Sequence, residues 1–315
     1  MCLIKKSFNK FLTRFDELPY LQYFRYTDFP SLKAKPYTFK SQENTLKGYF
    51  YSYDDYDKDI IVILCHGISG GHSAYLHEIE TIAKAGFLVL GYDNTGCIES
   101  EGKNIGGLGA SLKDLDNAII SLKKNDKYKD KKIYVVGHSW GGYAASNIYN
   151  FEQVDKVVAI SPFISLKQEY NDLFHGLRKI AIPRVLQLEG RHLGKKYVKS
   201  TAVNALNNAF GKALVIHSED DRVVKYKTTT AVLQKKVINP NVTYLIVNDK
   251  DHHPQYTKEA TNYFNETFDT FNKLVAEHKL DSLESKKEYF APVNFKNLVT
   301  QDKEVWEKII SFLKQ

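Results

Sequence analysis

The chain has 315 residues, of which 43% are hydrophobic and 26% are charged. This length and balance are typical of a soluble globular protein and allow one large α/β domain or two smaller ones. The net charge is +7, from 44 basic and 37 acidic residues. Because the basic residues are spread along the chain and accompany no nucleic-acid-binding motif, we do not expect a nucleic-acid partner.

The cysteines and the apolar runs indicate the compartment. Cys2, Cys65 and Cys97 form neither a paired framework nor a C-x-x-C motif, which favours a reducing environment. No apolar run approaches the length of a membrane span, and the N-terminus lacks the continuous apolar region of a signal peptide. We therefore expect a cytoplasmic protein.

Residues 1–36 are predicted to form an N-terminal extension that begins with a basic amphipathic helix. Its apolar residues recur at helical spacing, at Ile4, Phe8, Phe11, Leu12 and Phe15. Basic residues lie between them, so the helix could rest on a membrane surface. Packing against the main domain is the interpretation we favour, and any membrane contact would then be weak and peripheral.

The middle of the chain alternates between strand-like and helix-like segments. Residues 37–53 alternate with a polar break and predict a β-hairpin. Six short apolar runs rich in β-branched residues follow, at residues 60–65, 87–92, 133–136, 157–160, 213–217 and 243–247. Such runs, separated by amphipathic helices, predict a mostly parallel sheet covered on both faces. We therefore expect one doubly wound α/β domain.

The alternation stops between residues 163 and 211, where helix-like and basic segments occur without a strand-like run. Because this stretch follows a sheet strand, we interpret it as a helical cap over the C-terminal edge of the sheet, where the active sites of such sheets lie. Residues 37–162 and 212–315 would then form the core. Apolar stripes in the last part of the chain indicate core-packing helices.

The stretch from Gly137 to Gly141 reads G-x-S-x-G, with Ser139 at its centre. An apolar strand precedes it and a run of small residues with helical character follows it. The order strand, sharp turn, helix is that of a nucleophile elbow, in which glycines avoid collision with the adjoining strand and helix. Ser139 is the predicted nucleophile.

A serine hydroxyl needs a base and an orienting acid to attack a carbonyl group. Three acidic residues follow one predicted strand, namely Glu219, Asp220 and Asp221. We prefer Asp221, because the loop must turn before it presents a carboxylate, and the other two remain alternatives. The next strand leads to His252 and His253, of which His252 is the preferred base and His253 the alternative.

An oxyanion hole is expected from the backbone N–H groups of Trp140 and Ile68. Ile68 lies in a glycine-rich loop that follows the first apolar run. The loop lacks both the Lys-Ser/Thr pair of a P-loop and the G-x-G-x-x-G spacing, so we do not expect it to bind a nucleotide. His66, His72 and His77 are spaced six and five residues apart and share no helical face, so we do not expect a metal site.

Five motifs in order resemble the α/β-hydrolase superfamily: the elbow, residues 66–68, residues 92–96, and the loops of Asp221 and His252. Within it the chain is similar to the serine-hydrolase branch that contains monoacylglycerol lipases, lysophospholipases, carboxylesterases and S33-type aminopeptidases. The similarity extends from about residue 38 to the final helix.

This resemblance implies an α/β-hydrolase fold with a catalytic triad of Ser139, Asp221 and His252. It also implies an oxyanion hole at Ile68 and Trp140, and neither a metal nor an organic cofactor.

The chain departs from the usual pattern of the superfamily at three positions. At each of them a glycine is common in the superfamily. Ile98 lies in a turn, Ser218 lies three residues before the acid, and Asp251 lies just before the histidine. Asp93 also follows a strand, but in such folds that position shapes a turn and does not supply the catalytic acid.

The function expected is hydrolysis of small or lipid-like carboxylic esters through an acyl-enzyme. An apolar cap with a basic rim would suit an acyl chain. The first alternative is an S33-type aminopeptidase or amidase, which would need cap acids facing the pocket to hold an amine, such as Glu169, Asp172 or Glu189. The second is a non-catalytic binding protein on the same frame, although such proteins usually lack a triad member.

Overall fold

The computed structural model of the protein describes residues 13–68, 70–174 and 176–315. Most of the amphipathic helix expected at the N-terminus lies outside these residues. From Thr13 to the first strand the chain contains one short 3-10 turn at Tyr26–Asp28. This stretch is joined to the core at Phe15, whose N–H donates to the Gly96 carbonyl at 3.0 Å and whose carbonyl accepts from the Ile98 N–H at 2.8 Å.

Eight strands form one sheet in the order β1-β2-β4-β3-β5-β6-β7-β8. They are β1 (Lys33–Ser41), β2 (Asn44–Ser52), β3 (Ile60–Cys65), β4 (Leu88–Tyr92), β5 (Lys132–His138), β6 (Lys156–Ile160), β7 (Lys212–Ser218) and β8 (Val242–Val247). The pairs β1–β2 and β2–β4 are antiparallel, and all other pairs are parallel. The prediction of a mostly parallel α/β sheet with an N-terminal hairpin is confirmed.

Twelve α-helices occur in the described residues. They are α1 (Leu76–Lys84), α2 (Ala110–Lys124), α3 (Trp140–Asn147), α4 (Leu166–Leu173), α5 (Ile182–Leu193), α6 (Lys195–Val198), α7 (Ala202–Asn207), α8 (Thr230–Lys236), α9 (Lys258–Ala276), α10 (Leu283–Phe290), α11 (Phe295–Leu298) and α12 (Lys303–Lys314). None of them is long and apolar enough to cross a membrane.

The central strands are apolar on both faces because helices cover both. In β3, Ile61 and Ile63 belong to the core that includes α2 and α3. Val62 and Leu64, which alternate with them, belong to the second core that includes α1 and α12. Successive side chains of a strand point to opposite faces, so a strand covered on both sides reads as a continuous apolar run. Burying each such side chain contributes about 1.5–3 kcal/mol.

The described residues between β6 and β7 form four α-helices, α4 to α7, and one 3-10 helix at Gly176–Ala181, and they form no strand. Glu189 of α5 joins this insertion to the core. Its buried carboxylate accepts hydrogen bonds from the N–H groups of Leu108 and Gly109, at 3.1 and 3.3 Å, and from the Tyr170 hydroxyl. Because these N–H groups stand just before α2, the carboxylate lies at the positive end of that helix dipole.

Candidate active site

Ser139 lies in a sharp turn between the end of β5 and the start of α3. Its φ of 56° and ψ of −113° are unfavourable for a residue with a Cβ atom. Steric crowding requires glycine at positions 137 and 141. A Cβ at Gly137 would lie 2.2 Å from the Gly141 carbonyl oxygen, and one at Gly141 would lie 2.0 Å from the Cys65 carbonyl oxygen. The turn therefore presents the serine hydroxyl at the C-terminal edge of the sheet.

The three preferred residues, from the ends of three strands, meet in one hydrogen-bonded array. Ser139 Oγ is 2.8 Å from His252 Nε2, and His252 Nδ1 is 2.8 Å from Asp221 Oδ2. An ionised carboxylate can only accept, so Nδ1 carries the proton and Nε2 is left to accept from the serine hydroxyl. This geometry allows the imidazole to take the serine proton as the oxygen attacks.

The Asp221 carboxylate is buried and richly hydrogen-bonded. Its Oδ1 accepts from the N–H groups of Val223 and Val224 at 2.8 and 2.7 Å. Its Oδ2 accepts from His252 and, at 3.1 Å, from His217 Nε2. Burial alone would raise the pKa of Asp221, but the hydrogen bonds from His217 and His252 hold this pKa well below its ordinary value. The carboxylate is therefore anionic across the neutral range.

His217 was missed by the sequence reasoning. It is fully buried at the end of β7, and its Nε2–H is shared between Asp221 and the Val224 carbonyl oxygen, which lies 2.8 Å away. Its Nδ1 lies 2.7 Å from the Thr230 hydroxyl. The signal available in the sequence was a histidine as the last residue of an apolar run, four positions before the preferred acid.

The alternative residues occupy other positions. His253 is buried between the rings of Tyr256 and Phe264, with ring centroids 5.4 and 4.7 Å away. Burial holds the pKa of His253 well below its ordinary value. Asp220 accepts from the Ser218 hydroxyl and, at 3.3 Å, from the Asp251 N–H in the loop that carries His252. In the described structure it is His252 that contacts Ser139.

The two predicted oxyanion donors come from different segments, since Trp140 directly follows Ser139 and Ile68 lies in the loop after β3. Trp140 is the first residue of α3, and the first N–H groups of a helix have no intrahelical acceptor. Its indole N–H donates to the Leu108 carbonyl at 2.6 Å, which holds the side chain away from this turn. Ile68 follows β3 in a loop held by His66, whose Nδ1–H donates to the Gly67 carbonyl at 2.7 Å.

A buried chain of hydrogen bonds connects this loop to the base. Tyr75 Oη lies 3.0 Å from the Gly67 nitrogen and 2.9 Å from His138 Nδ1, and His138 Nε2 lies 2.8 Å from the His252 carbonyl oxygen. Burial, with the nearby His252, lowers the pKa of His138 to about 3, so this imidazole is neutral. A carbonyl can only accept, so His138 donates from Nε2 and accepts the Tyr75 proton at Nδ1. The Gly67 N–H in turn donates to Tyr75.

The three acids of the insertion that were considered for amine binding differ in their contacts. Asp172 accepts from the Gln168 amide at 2.7 Å and from the Thr228 hydroxyl at 2.6 Å. Glu189 accepts from the N–H groups of Leu108 and Gly109 and so joins the insertion to the core. The third, Glu169 of α4, is buried, and burial, with the charges of Asp172 and Asp221, raises its pKa to about 8.

The three early histidines hold separate positions. His66 donates to the Gly67 carbonyl, His72 donates to the Asp93 carboxylate at 2.7 Å, and His77 packs edge-on against Phe24. Within the part of the chain that the structure describes, no group of three or more histidine, cysteine or acidic side chains could hold a metal ion.

Comparisons with known proteins agree with this architecture. The family model of serine aminopeptidases, S33, matches residues 56–210, which include the elbow and end before Asp221. The chain is 26% identical over 229 residues to the uncharacterized protein YqkD of Bacillus subtilis (strain 168), covering 69% of this chain and 72% of that protein.

Among solved structures, the esterase Pf2001 of Pyrococcus furiosus superposes with a TM-score of 0.59 at 20% identity, covering 84% of this chain and 99% of that one. The acylaminoacyl peptidase of Pyrococcus horikoshii superposes with a TM-score of 0.52 at 15% identity, covering 72% of this chain but only 39% of that one. The sheet order, the elbow and these likenesses together lead to one conclusion: the chain has the α/β-hydrolase fold.

Proposed function

We propose that the protein is a serine hydrolase that cleaves carboxylic esters through an acyl-enzyme. The observation that carries this proposal is the array in which Ser139, His252 and Asp221 are joined by two hydrogen bonds of 2.8 Å at the sheet edge. Such an array has the connectivity that serine hydrolases use to activate a hydroxyl group.

In the proposed reaction, His252 takes the proton of Ser139 as the oxygen attacks the ester carbonyl. Asp221 keeps the proton on Nδ1 and stabilises the imidazolium that forms, while the backbone N–H groups of Ile68 and Trp140 stabilise the oxyanion. His252 then protonates the departing alcohol, and the acyl group stays on Ser139. Water attacks this acyl-enzyme with His252 again as base, which releases the acid and restores the serine.

Exposed apolar side chains on the insertion and beside the acid support an apolar acyl group. Leu173 and Ile180 of the insertion are 41% and 77% exposed, and Val223, two residues after Asp221, is 60% exposed. Burying exposed apolar surface against an apolar ligand is favourable. We therefore propose small or lipid-like acyl esters as the substrate class.

A fluorophosphonate probe with intact-mass readout tests the mechanism. We expect one adduct on the wild-type protein, none on Ser139→Ala, and labelling slowed at least about a hundredfold by His252→Ala. His253→Ala is the matched control, since the neighbouring imidazole packs away from the serine, and it should label at nearly the wild-type rate. A folded wild-type protein that forms no adduct, or an adduct that survives Ser139→Ala, would contradict the proposal.

A second candidate function is that of an aminopeptidase, which is favoured by the S33 match and by the buried Glu169 near Asp221. In this case the Glu169 carboxylate would receive the ammonium group of the substrate. Turnover of aminoacyl p-nitroanilides against p-nitrophenyl acetate separates the two functions. An aminopeptidase would prefer the anilides, and Glu169→Gln would reduce their hydrolysis without affecting the acetate. We expect faster turnover of the acetate.

A further inference from the structure

Side chains connect the two loops that carry Asp221 and His252. The acid loop comprises residues 219–224, after β7, and the base loop comprises residues 248–254, after β8. The Asp251 carboxylate accepts from the backbone N–H of Arg222 at 2.8 Å and from its Nε at 2.6 Å. Ser218 Oγ, at the end of β7, accepts from the Lys250 N–H at 3.3 Å.

Asp251 makes most of these contacts, and it does so from a strained backbone conformation. Asp251 has a φ of 42°, a conformation that residues with a Cβ rarely adopt and that costs of order 1 kcal/mol. Its buried carboxylate makes three hydrogen bonds, two with Arg222 and a third, at 2.8 Å, with the Asn265 amide. Charge-assisted bonds of this kind offset the strain.

This contact lies next to Asp221 and His252 in the sequence. Asp251 immediately precedes His252, and Arg222 immediately follows Asp221. The contact between Asp251 and Arg222 therefore lies beside the hydrogen bond between Asp221 and His252. A single bond would allow the two loops to rotate relative to each other, whereas two neighbouring bonds restrict that rotation.

We propose that Ser218, Arg222 and Asp251 form a latch that sets the register of the acid loop against the base loop. These are positioning residues, which act through Asp221 and His252. The latch restricts the two loops through its side-chain contacts, and so keeps the imidazole aimed at Ser139 before substrate arrives. This inference rests on the proposed function for its catalytic consequence, but the loop contacts themselves can be tested separately.

The decisive variant is Asp251→Gly, which relieves the strain and removes the carboxylate. The matched control is Asp249→Gly, because Asp249 lies in the same loop, also has a positive φ, of 61°, and contacts only the exposed Lys258 in the described hydrogen bonds and ion pairs. Active sites are counted with the fluorophosphonate, and kcat and KM are measured with p-nitrophenyl acetate.

We expect Asp251→Gly to lower kcat about tenfold with KM little changed, since small misplacements of catalytic groups cost up to about a hundredfold. Asp249→Gly should behave as wild type. Arg222→Ala removes the Nε bond but keeps the backbone N–H bond, so it should lower kcat less than Asp251→Gly. The double variant should be no worse than Asp251→Gly alone, because loss of the carboxylate already breaks both bonds. If Asp251→Gly folds poorly, Asp251→Asn, which retains the side-chain volume, takes its place in both measurements.

A second readout does not depend on activity. The Nδ1 proton of His252, hydrogen-bonded to Asp221, is followed by proton NMR and assigned by its loss in His252→Ala. Broadening of this resonance in Asp251→Gly but not in Asp249→Gly supports the latch. A wild-type resonance and wild-type kcat in Asp251→Gly would overturn it. Absence of labelling in the wild type would refute the proposed function, while the resonance would still decide the latch.

Discussion

The phenol of Tyr75 offers the most informative single perturbation. Tyr75→Phe removes one oxygen that accepts from the Gly67 N–H at 3.0 Å and donates to His138 Nδ1 at 2.9 Å. Each hydrogen bond contributes about 0.5–1.5 kcal/mol net, so losing both predicts a fall of about 1–3 kcal/mol in the free energy of unfolding. We expect a loss near the upper end of this range, because the Gly67 N–H and His138 Nδ1 both lose a hydrogen-bond partner.

The same variant should also affect the reaction. Gly67 immediately precedes Ile68, and His138 contacts the backbone of His252, so the substitution separates the proposed oxyanion loop from the base. Complete loss of one oxyanion donor costs about 10²–10³ in kcat, and we expect about tenfold for a loosened one. KM should change little, because the lost contact orients the reacting groups and does not bind the substrate.

Urea unfolding and steady-state hydrolysis of p-nitrophenyl acetate measure the two effects. Tyr256→Phe is the control, since this buried tyrosine hydroxyl donates to Glu78 at 2.6 Å. It should lower stability without lowering kcat per active site. If Tyr75→Phe and Tyr256→Phe reduced kcat equally, or if Tyr75→Phe left kcat unchanged, the connecting role of Tyr75 would be refuted.

Three further predictions concern the frame of the site. Burial raises the pKa of Glu78 from 4.5 to about 7, so the unfolded chain ionises first and stability falls as the pH rises between these values. Glu78→Gln should therefore raise the melting temperature at pH 8 more than at pH 4, and equal shifts would contradict this. Gly141→Ala should prevent folding, since its Cβ would lie 2.0 Å from the Cys65 carbonyl oxygen. A variant that is folded by circular dichroism and hydrolyses p-nitrophenyl acetate would refute the steric argument. Glu189→Ala should loosen the insertion between β6 and β7, and limited proteolysis should cut there faster than in the wild type.

The fold was largely predictable because its signals are local. Strands buried on both faces must be apolar at nearly every position, and the six predicted runs agree with β3 to β8 within a residue or two at each end. The elbow was predictable for a similar reason, since strand, turn and helix are contiguous and steric crowding leaves room only for glycine two residues before and two residues after Ser139. A pattern of adjacent residues carries all of this information.

The sequence by itself thus determined the α/β class, the place of the sheet edge and the serine presented there. Only the tertiary structure decided which of two adjacent histidines contacts that serine, because His252 and His253 differ in their packing and not in their chemistry. Only the tertiary structure brought in His217 and Tyr75, whose partners come from other segments of the chain. It likewise paired Asp251 with Arg222, because that contact forms only after β7 and β8 have come together in the sheet.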